Sequence, residues 1–327
     1  MSERTAVVFD VYRGTSHDGP GLRTTIFFKG CPLRCSWCHN PEGIAPQPQI
    51  WWEGQKCIGC LRCKEACPSG ALTADETGIH INKLLCINCG ACVKACPSKA
   101  QSYTGEHWTK ERLLKEALKD KPYYTAFGGG VTASGGEPMG QYQVVKELFQ
   151  DLKQLGVHTA LDTCGNVSWS SYEAVLPYVD CVLYDLKVMD PEKHEQFTGS
   201  KNDRILNNIL NLAKYIRTQR PDMTLWIRTP LIPNATDSSE NIRQIRAFIR
   251  ENLLDLIGRW ELCSFNNICK SKYDKMGLKW DFAEEALLPQ QRIDEIRQLI
   301  LSDGFPEEKL VISGVIATPK DAERRLR

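Results

Sequence analysis

Between residues 57 and 97 the chain repeats one cysteine pattern, as CIGCLRCKEACP from Cys57 and as CINCGACVKACP from Cys86. Both copies read C-x2-C-x2-C-x3-C-P. A tight loop with this spacing can wrap three corners of a cube, and soft thiolates suit iron–sulfur clusters. In such a run the fourth cysteine, just before proline, ligates the other cluster. The spacing therefore predicts one [4Fe-4S] cluster on Cys57, Cys60, Cys63 and Cys96. It predicts a second on Cys86, Cys89, Cys92 and Cys67. Structural zinc sites favour two separated pairs of ligands, which neither copy offers. The repeat points to electron transfer or a cluster scaffold and names no reaction.

The chain has 327 residues and 15 cysteines, 11 of them between Cys31 and Cys96. Its length argues against a small disulfide framework. The opening MSERTAVVFDVYRG has no apolar export segment, and no apolar run approaches the length of a membrane span. The formal net charge of +1 gives no reason to expect nucleic acid or an anionic membrane as partner. A cytoplasmic monomer is expected. The four scattered cysteines, Cys164, Cys181, Cys263 and Cys269, read as small buried hydrophobes.

Around the cysteine repeat, short apolar β-rich runs alternate with amphipathic helical ones. Strands are expected at TTIFFKG (24–30), VTASGG (131–136), HTALDTCG (158–165), CVLYDLK (181–187), TLWIRTP (224–230) and WELCSFN (260–266), with KLVISG as a further candidate. Strands alternating with helices imply βαβ units and a parallel sheet. Each expected strand carries its chemically capable residues at its C-terminal end, where barrel enzymes place their sites. The expected fold is α/β: a partial (β/α)6 TIM-like barrel over 1–44 and 105–327. The insert, 45–104, is a bacterial-ferredoxin-like domain with two clusters standing in for a large core.

A third cysteine group, Cys31, Cys35 and Cys38 in GCPLRCSWCHNPE, follows the first of these strands. Three thiolates hold three irons of a cubane and leave the fourth open to an exogenous ligand, as catalytic metal sites do. A zinc site closed by the adjacent His39 is the competing reading.

C-x3-C-x2-C after the first strand resembles the signature of radical S-adenosylmethionine (SAM) enzymes. DGPGLRTTIFFKGCPLRCSWCHNPE, SGGEP, LDTCG, YDLK and IRTPLIP together resemble the glycyl-radical-enzyme activating enzymes, of the larger type with a two-cluster insert. The resemblance runs from about Asp18 to about Tyr273. It implies reductive cleavage of SAM at the Cys31, Cys35, Cys38 cluster. The 5′-deoxyadenosyl radical so formed takes a hydrogen atom from a backbone glycine of a partner glycyl radical enzyme. It further implies that Gly135, Gly136 and Glu137 meet the SAM ammonium, that Trp37 lies beside the adenine, and that Asp162 and Lys187 lie near the methionine end and ribose. Arg228 falls where the family has an arginine by substrate peptide or cofactor. Asp162, Thr163 and Asp185 match a monovalent-cation site. The stretch with Asp18 and Gly21 matches a region that approaches the partner's glycine loop. The chain departs from the family at Asn266, which stands where many members have a histidine. Asn can still hydrogen-bond a ribose but carries no charge.

The insert makes a partner other than pyruvate formate-lyase the expectation: a lyase, decarboxylase, dehydratase or fumarate-adding enzyme. Flavodoxin or ferredoxin is the expected electron donor. Two alternatives remain, a radical SAM enzyme with another substrate and a simple iron–sulfur electron carrier. The second leaves the three-cysteine loop and the strand-end residues without a purpose.

Overall fold

A computed structural model describes residues 4–317. β1 (Thr5–Thr15) runs antiparallel to β2 (Arg23–Phe28). The cysteine-rich segment follows as β3 (Gln49–Trp52), α1 (Arg62–Glu65), β4 (Leu72–Asp75), β5 (Gly78–Ile81), α2 (Ala91–Ala95) and β6 (Gln101–Thr104). The chain returns with β7 (Glu106–Thr109), antiparallel to β1, then α3 (Lys110–Leu118) and α4 (Lys121–Phe127). Regular alternation begins with β8 (Gly130–Gly135), α5 (Tyr142–Gln154), β9 (His158–Thr163), α6 (Trp169–Val175) and β10 (Cys181–Asp185). It continues through α7 (Pro191–Thr198), α8 (Asp203–Gln219), β11 (Thr224–Leu231), α9 (Ser239–Asn252) and β12 (Ile257–Ser264). The described chain closes with α10 (Lys270–Met276), α11 (Gln290–Leu301) and β13 (Leu310–Gly314).

Nine strands form one sheet in the order β13-β12-β11-β10-β9-β8-β2-β1-β7. From β2 through β13 every pairing is parallel. The six expected strands are β2 and β8 to β12, and KLVISG is β13, a seventh parallel neighbour. β1 and β7 were not among the expected strands. The outer half of β1 is largely exposed, which dilutes its apolar pattern. β2 shows the opposite limit, with all six residues buried, as a parallel strand covered on both faces requires. The helices lay apolar stripes on the sheet: Val145, Leu148, Phe149 and Leu152 from α5, Ile242, Ile245 and Ile249 from α9. Among the described residues no helix is long and apolar enough to cross a membrane.

The cysteine-rich segment has two small antiparallel sheets of its own, β3 with β6 and β4 with β5. Its core is separate, built from Ile50, Leu72, Ile79 and Ile81 with Cys63 and Cys92. The sequence repeat is also a backbone repeat. Gly59 and Asn88, Leu61 and Gly90, and Gly70 and Lys99 occupy matching places in the two copies, and all six have positive φ. Three of the six are not glycine and take a conformation that ordinary side chains disfavour, so the loop shape prevails over local preference.

Candidate active site

The C-terminal ends of the parallel strands open onto a cavity of about 440 Å³. Cys31, Cys35 and Cys38 line it, together with Trp37, His39, Gly135, Gly136, Asp162, Thr163, Cys164, Asp185, Lys187, Arg228 and Asn266. Elements and loops that are distant in sequence meet there, around a volume in the range of small-ligand sites.

The three-cysteine loop is fixed by backbone bonds at its base and middle. Gly30 N–H donates to Gly43 O at 2.7 Å, Cys31 N–H to Ile44 O at 2.9 Å, Arg34 N–H to Thr198 O at 2.7 Å and Ser36 N–H to Phe197 O at 2.9 Å. The end of β8 is pressed against this base. Gly136 N–H donates to Phe28 O and Glu137 N–H to Gly30 O, both at 2.8 Å. Gly135 has φ +118°, and a Cβ there would collide with the Phe28 backbone. A Cβ on Gly136 would collide with the Gly43 carbonyl. The Gly-Gly pair is thus required by backbone approach.

Burial raises the Cys35 thiol to about 12 and pushes Cys38 further up. Cys31 is held down, chiefly by a hydrogen bond with the Cys164 thiol. Buried thiols of this kind ionise when a metal binds them, since ligation releases the proton. The residues therefore fit a thiolate-bound iron–sulfur group. Among the described residues no group of three or more His, Cys, Asp and Glu side chains is gathered as ligands of one ion. His39 packs against Phe265 and Trp280, and its Nε2 is buried without a partner. Trp37, 5% exposed, leans on Phe197 and Phe282 with its edge at the cavity.

A row of charges crosses the sheet. Asp185 is paired in register with Arg228, and Arg228 with Glu261. Arg228 Nη1 lies 3.3 Å from Asp162, and its Nε lies 4.0 Å from Glu261. Asp162 also accepts from Ser134 Oγ at 2.7 Å, and Lys187 is paired with Asp185. Burial lifts Asp162 to about 6; Arg228 pulls it down and Asp185 pushes it up. Burial alone would lower Lys187, but Asp185 and Cys35 override it and hold the ammonium well above its ordinary range.

Two sets of expected site residues are engaged with other protein groups. The Glu137 side chain does not reach the cavity. It is fully buried, and its carboxylate accepts from Met139 N–H at 3.0 Å, Cys164 N–H at 2.7 Å and the Thr163 hydroxyl at 2.9 Å. It braces the β8 and β9 ends from behind. Asp162, Thr163 and Asp185, the residues of the expected cation site, all line the cavity. Asp162 faces Arg228 and Ser134, Asp185 faces Lys187, and the Thr163 hydroxyl is taken by Glu137 and Tyr172. Arg228 and Lys187 are the cationic neighbours of these carboxylates.

Glu261 was missed by the sequence reading. It is 2% exposed, lines the cavity, and its Oε2, 4.0 Å from Arg228 Nε, accepts no hydrogen bond. The available signal was a lone acid inside the apolar strand WELCS. Of the scattered cysteines, three are buried as expected: Cys181 packs with Ala160, Leu183 and Trp226, Cys269 packs in the apolar cluster of Trp37, Phe265 and Trp280, and Cys164 is buried beside Cys31. Cys263 is half-buried beside Arg228, and the Cys269 Sγ lies 3.9 Å from the Cys38 carbonyl.

In the cysteine-rich segment, Cys57, Cys60, Cys63 and Cys96 surround one small cavity with Trp52 and Ile79. Cys67, Cys86, Cys89 and Cys92 surround another with Ile50 and Ile81. The fourth cysteine of each run lies with the first three of the other.

A parallel sheet whose first loop brings three cysteines into a strand-end cavity defines a class. Residues 25–245 match the model of the radical SAM superfamily, and the chain belongs to that superfamily. Its relatives narrow the assignment. The (2S)-3-sulfopropanediol dehydratase activating enzyme of Klebsiella oxytoca is 40% identical over 84% of this chain and 86% of its own length. The trans-4-hydroxy-L-proline dehydratase activating enzyme of Clostridioides difficile is 37% identical, over 91% and 97%. The choline trimethylamine-lyase activating enzyme of Oleidesulfovibrio alaskensis is 33% identical, over 94% and 98%. Within the superfamily the chain is a member of the activating enzymes of glycyl radical enzymes. Membership implies a [4Fe-4S] cluster and SAM.

Proposed function

We propose that Cys31, Cys35 and Cys38 hold the SAM-binding cluster and that the strand ends around them hold SAM. With both bound, the cluster supplies an electron to the sulfonium and the cofactor supplies the radical that takes hydrogen from a glycine of the partner. The protein's own part is to orient and shield. The backbone of Gly135 and Gly136 is bare enough for an ammonium to approach. Asp162, with Asp185 and Glu261 beside it, favours a cationic ligand, while Lys187 and Arg228 are placed to meet a carboxylate or ribose. Trp37 gives the adenine an apolar wall, and Asn266 offers it or the ribose a neutral hydrogen-bonding edge. The observation that carries this reading is the convergence of the three cysteines and these strand-end groups on one cavity.

The finer architecture we propose is a partial (β/α)6 barrel, 1–44 and 105–327, with a bacterial-ferredoxin-like insert over 45–104. The insert's two cysteine groups would hold two further [4Fe-4S] clusters that relay electrons from flavodoxin or ferredoxin. The chain would act as a monomer in the cytoplasm, where thiols stay reduced. The partner would be a dehydratase or lyase, the kinds of enzyme named for the relatives described above. The test is anaerobic incubation of the reduced protein with SAM and candidate partners. A doublet in electron paramagnetic resonance (EPR) and oxygen-dependent cleavage of the partner at one glycine are expected. Absence of 5′-deoxyadenosine after reduction would instead favour the electron-carrier reading.

A further inference from the structure

We infer that α10 is a positioning element that sets the redox poise of the cluster on the three-cysteine loop and ties it to the cysteine-rich segment. The inference rests on the proposed cluster at Cys31, Cys35 and Cys38.

One face of α10 and its flanks grips the loop through its polar backbone. The Tyr273 hydroxyl donates to the Cys38 carbonyl at 2.8 Å, and the Cys269 thiol approaches the same oxygen. Tyr273 is stacked on Trp280, with ring centroids 5.0 Å apart, and Trp280 Nε1–H donates to the Ser36 carbonyl at 3.0 Å. Lys272 donates to Asn40 Oδ1 at 2.7 Å and pairs with the buried Glu42 at 2.6 Å. Asn40 lies two residues beyond Cys38 on the loop. Thus α10 and its flanks hold the carbonyl of Cys38 and the side chain of Asn40, two residues further along the same loop.

The helix also rests on the cysteine-rich segment. Lys275 lies 3.7 Å from Glu53 and over the Trp51 ring at 4.8 Å. Trp51 belongs to β3, whose neighbouring residues Ile50 and Trp52 line the two four-cysteine cavities. One short helix therefore touches both the catalytic loop and the strand between the other two cysteine groups.

Hydrogen bonds near cluster sulfurs, and the partners that orient ligand residues, are established determinants of reduction potential. Donation by Tyr273 draws charge from the Cys38 peptide and favours the reduced, more negative cluster. Removing that donor should make the cluster harder to reduce.

The test uses the full, cluster-loaded chain. The site cluster is picked out by the change in its EPR spectrum when SAM is added, and its midpoint potential is titrated. Tyr273→Phe, which keeps the ring stack, should retain its iron but move the potential to more negative values and alter the SAM-bound spectrum. Lys275→Ala, at the contact with the cysteine-rich segment, should shift the potential in the same direction by less. If Tyr273→Phe fails to fold, the Lys275→Ala titration decides alone. Unchanged potential and spectrum at full iron content would overturn the inference and leave the proposed function standing. A wild-type protein with no SAM-responsive cluster would overturn both.

Discussion

Glu137→Gln separates a bracing residue from a ligand contact. The two carboxylate oxygens each accept a backbone N–H that cannot turn away: Oε1 takes Met139 and Oε2 takes Cys164. An amide offers one oxygen and one NH2, so either orientation points a donor at a fixed, buried donor. An unsatisfied buried group costs about 1–3 kcal/mol. Two such groups, less the relief of removing a buried charge, give roughly 2–4 kcal/mol of lost stability. Urea unfolding of the reduced apo-protein, kept anaerobic, measures it. Equilibrium dialysis of SAM against the folded, cluster-loaded variant should show affinity within a few fold of wild type, because the side chain lies outside the cavity. A variant of wild-type stability, within about 0.5 kcal/mol, that no longer binds SAM would refute the bracing assignment.

Three further outcomes are expected. Asp162, lifted to about 6 by burial, gains its proton in the folded protein at higher pH than when unfolded. Its contribution to stability is therefore present at low pH and lost as pH rises towards 6. SAM, as a cation, should bind less tightly as pH falls through that value, and Asp162→Asn should flatten the binding profile measured by calorimetry. Cys96→Ala should lose about four irons and match Cys57→Ala spectroscopically, whereas Cys67→Ala should match Cys86→Ala; pairing within each run would refute the crossed arrangement. Gly136→Ala, whose Cβ meets the Gly43 carbonyl, should destabilise the apo-protein by about 1–3 kcal/mol and lower cluster occupancy, read by thermal unfolding and iron analysis.

Local sequence revealed what local chemistry determines. The parallel strands were legible because a strand covered on both faces must be continuously apolar, and the cysteine runs because their spacing is the shape of the loop. The direction of Glu137 was not legible. Its partners, Thr163 and Cys164, lie on the neighbouring strand's end, and no spacing rule says whether a strand-end carboxylate turns into a cavity or behind it. Glu261 and Arg228 face one another only because β11 and β12 are in register. The grip of α10 on the loop joins residues more than two hundred positions apart.

The scattered cysteines show why composition alone misleads here. A three-cysteine loop can present an iron to an outside ligand only if no fourth thiol reaches it, and three further thiols lie around this cavity. Cys164 is engaged with Cys31, Cys263 with Arg228, and Cys269 is directed at the Cys38 carbonyl. Each sits on a different strand end or flanking turn, and the strands carrying two of them are locked into the sheet on both sides. At the proposed site, access for SAM would thus depend on where the backbone holds the other sulfurs as well as on the count of three in the motif. A change that loosens β9 or β12 would then impair SAM binding without touching any residue that contacts SAM.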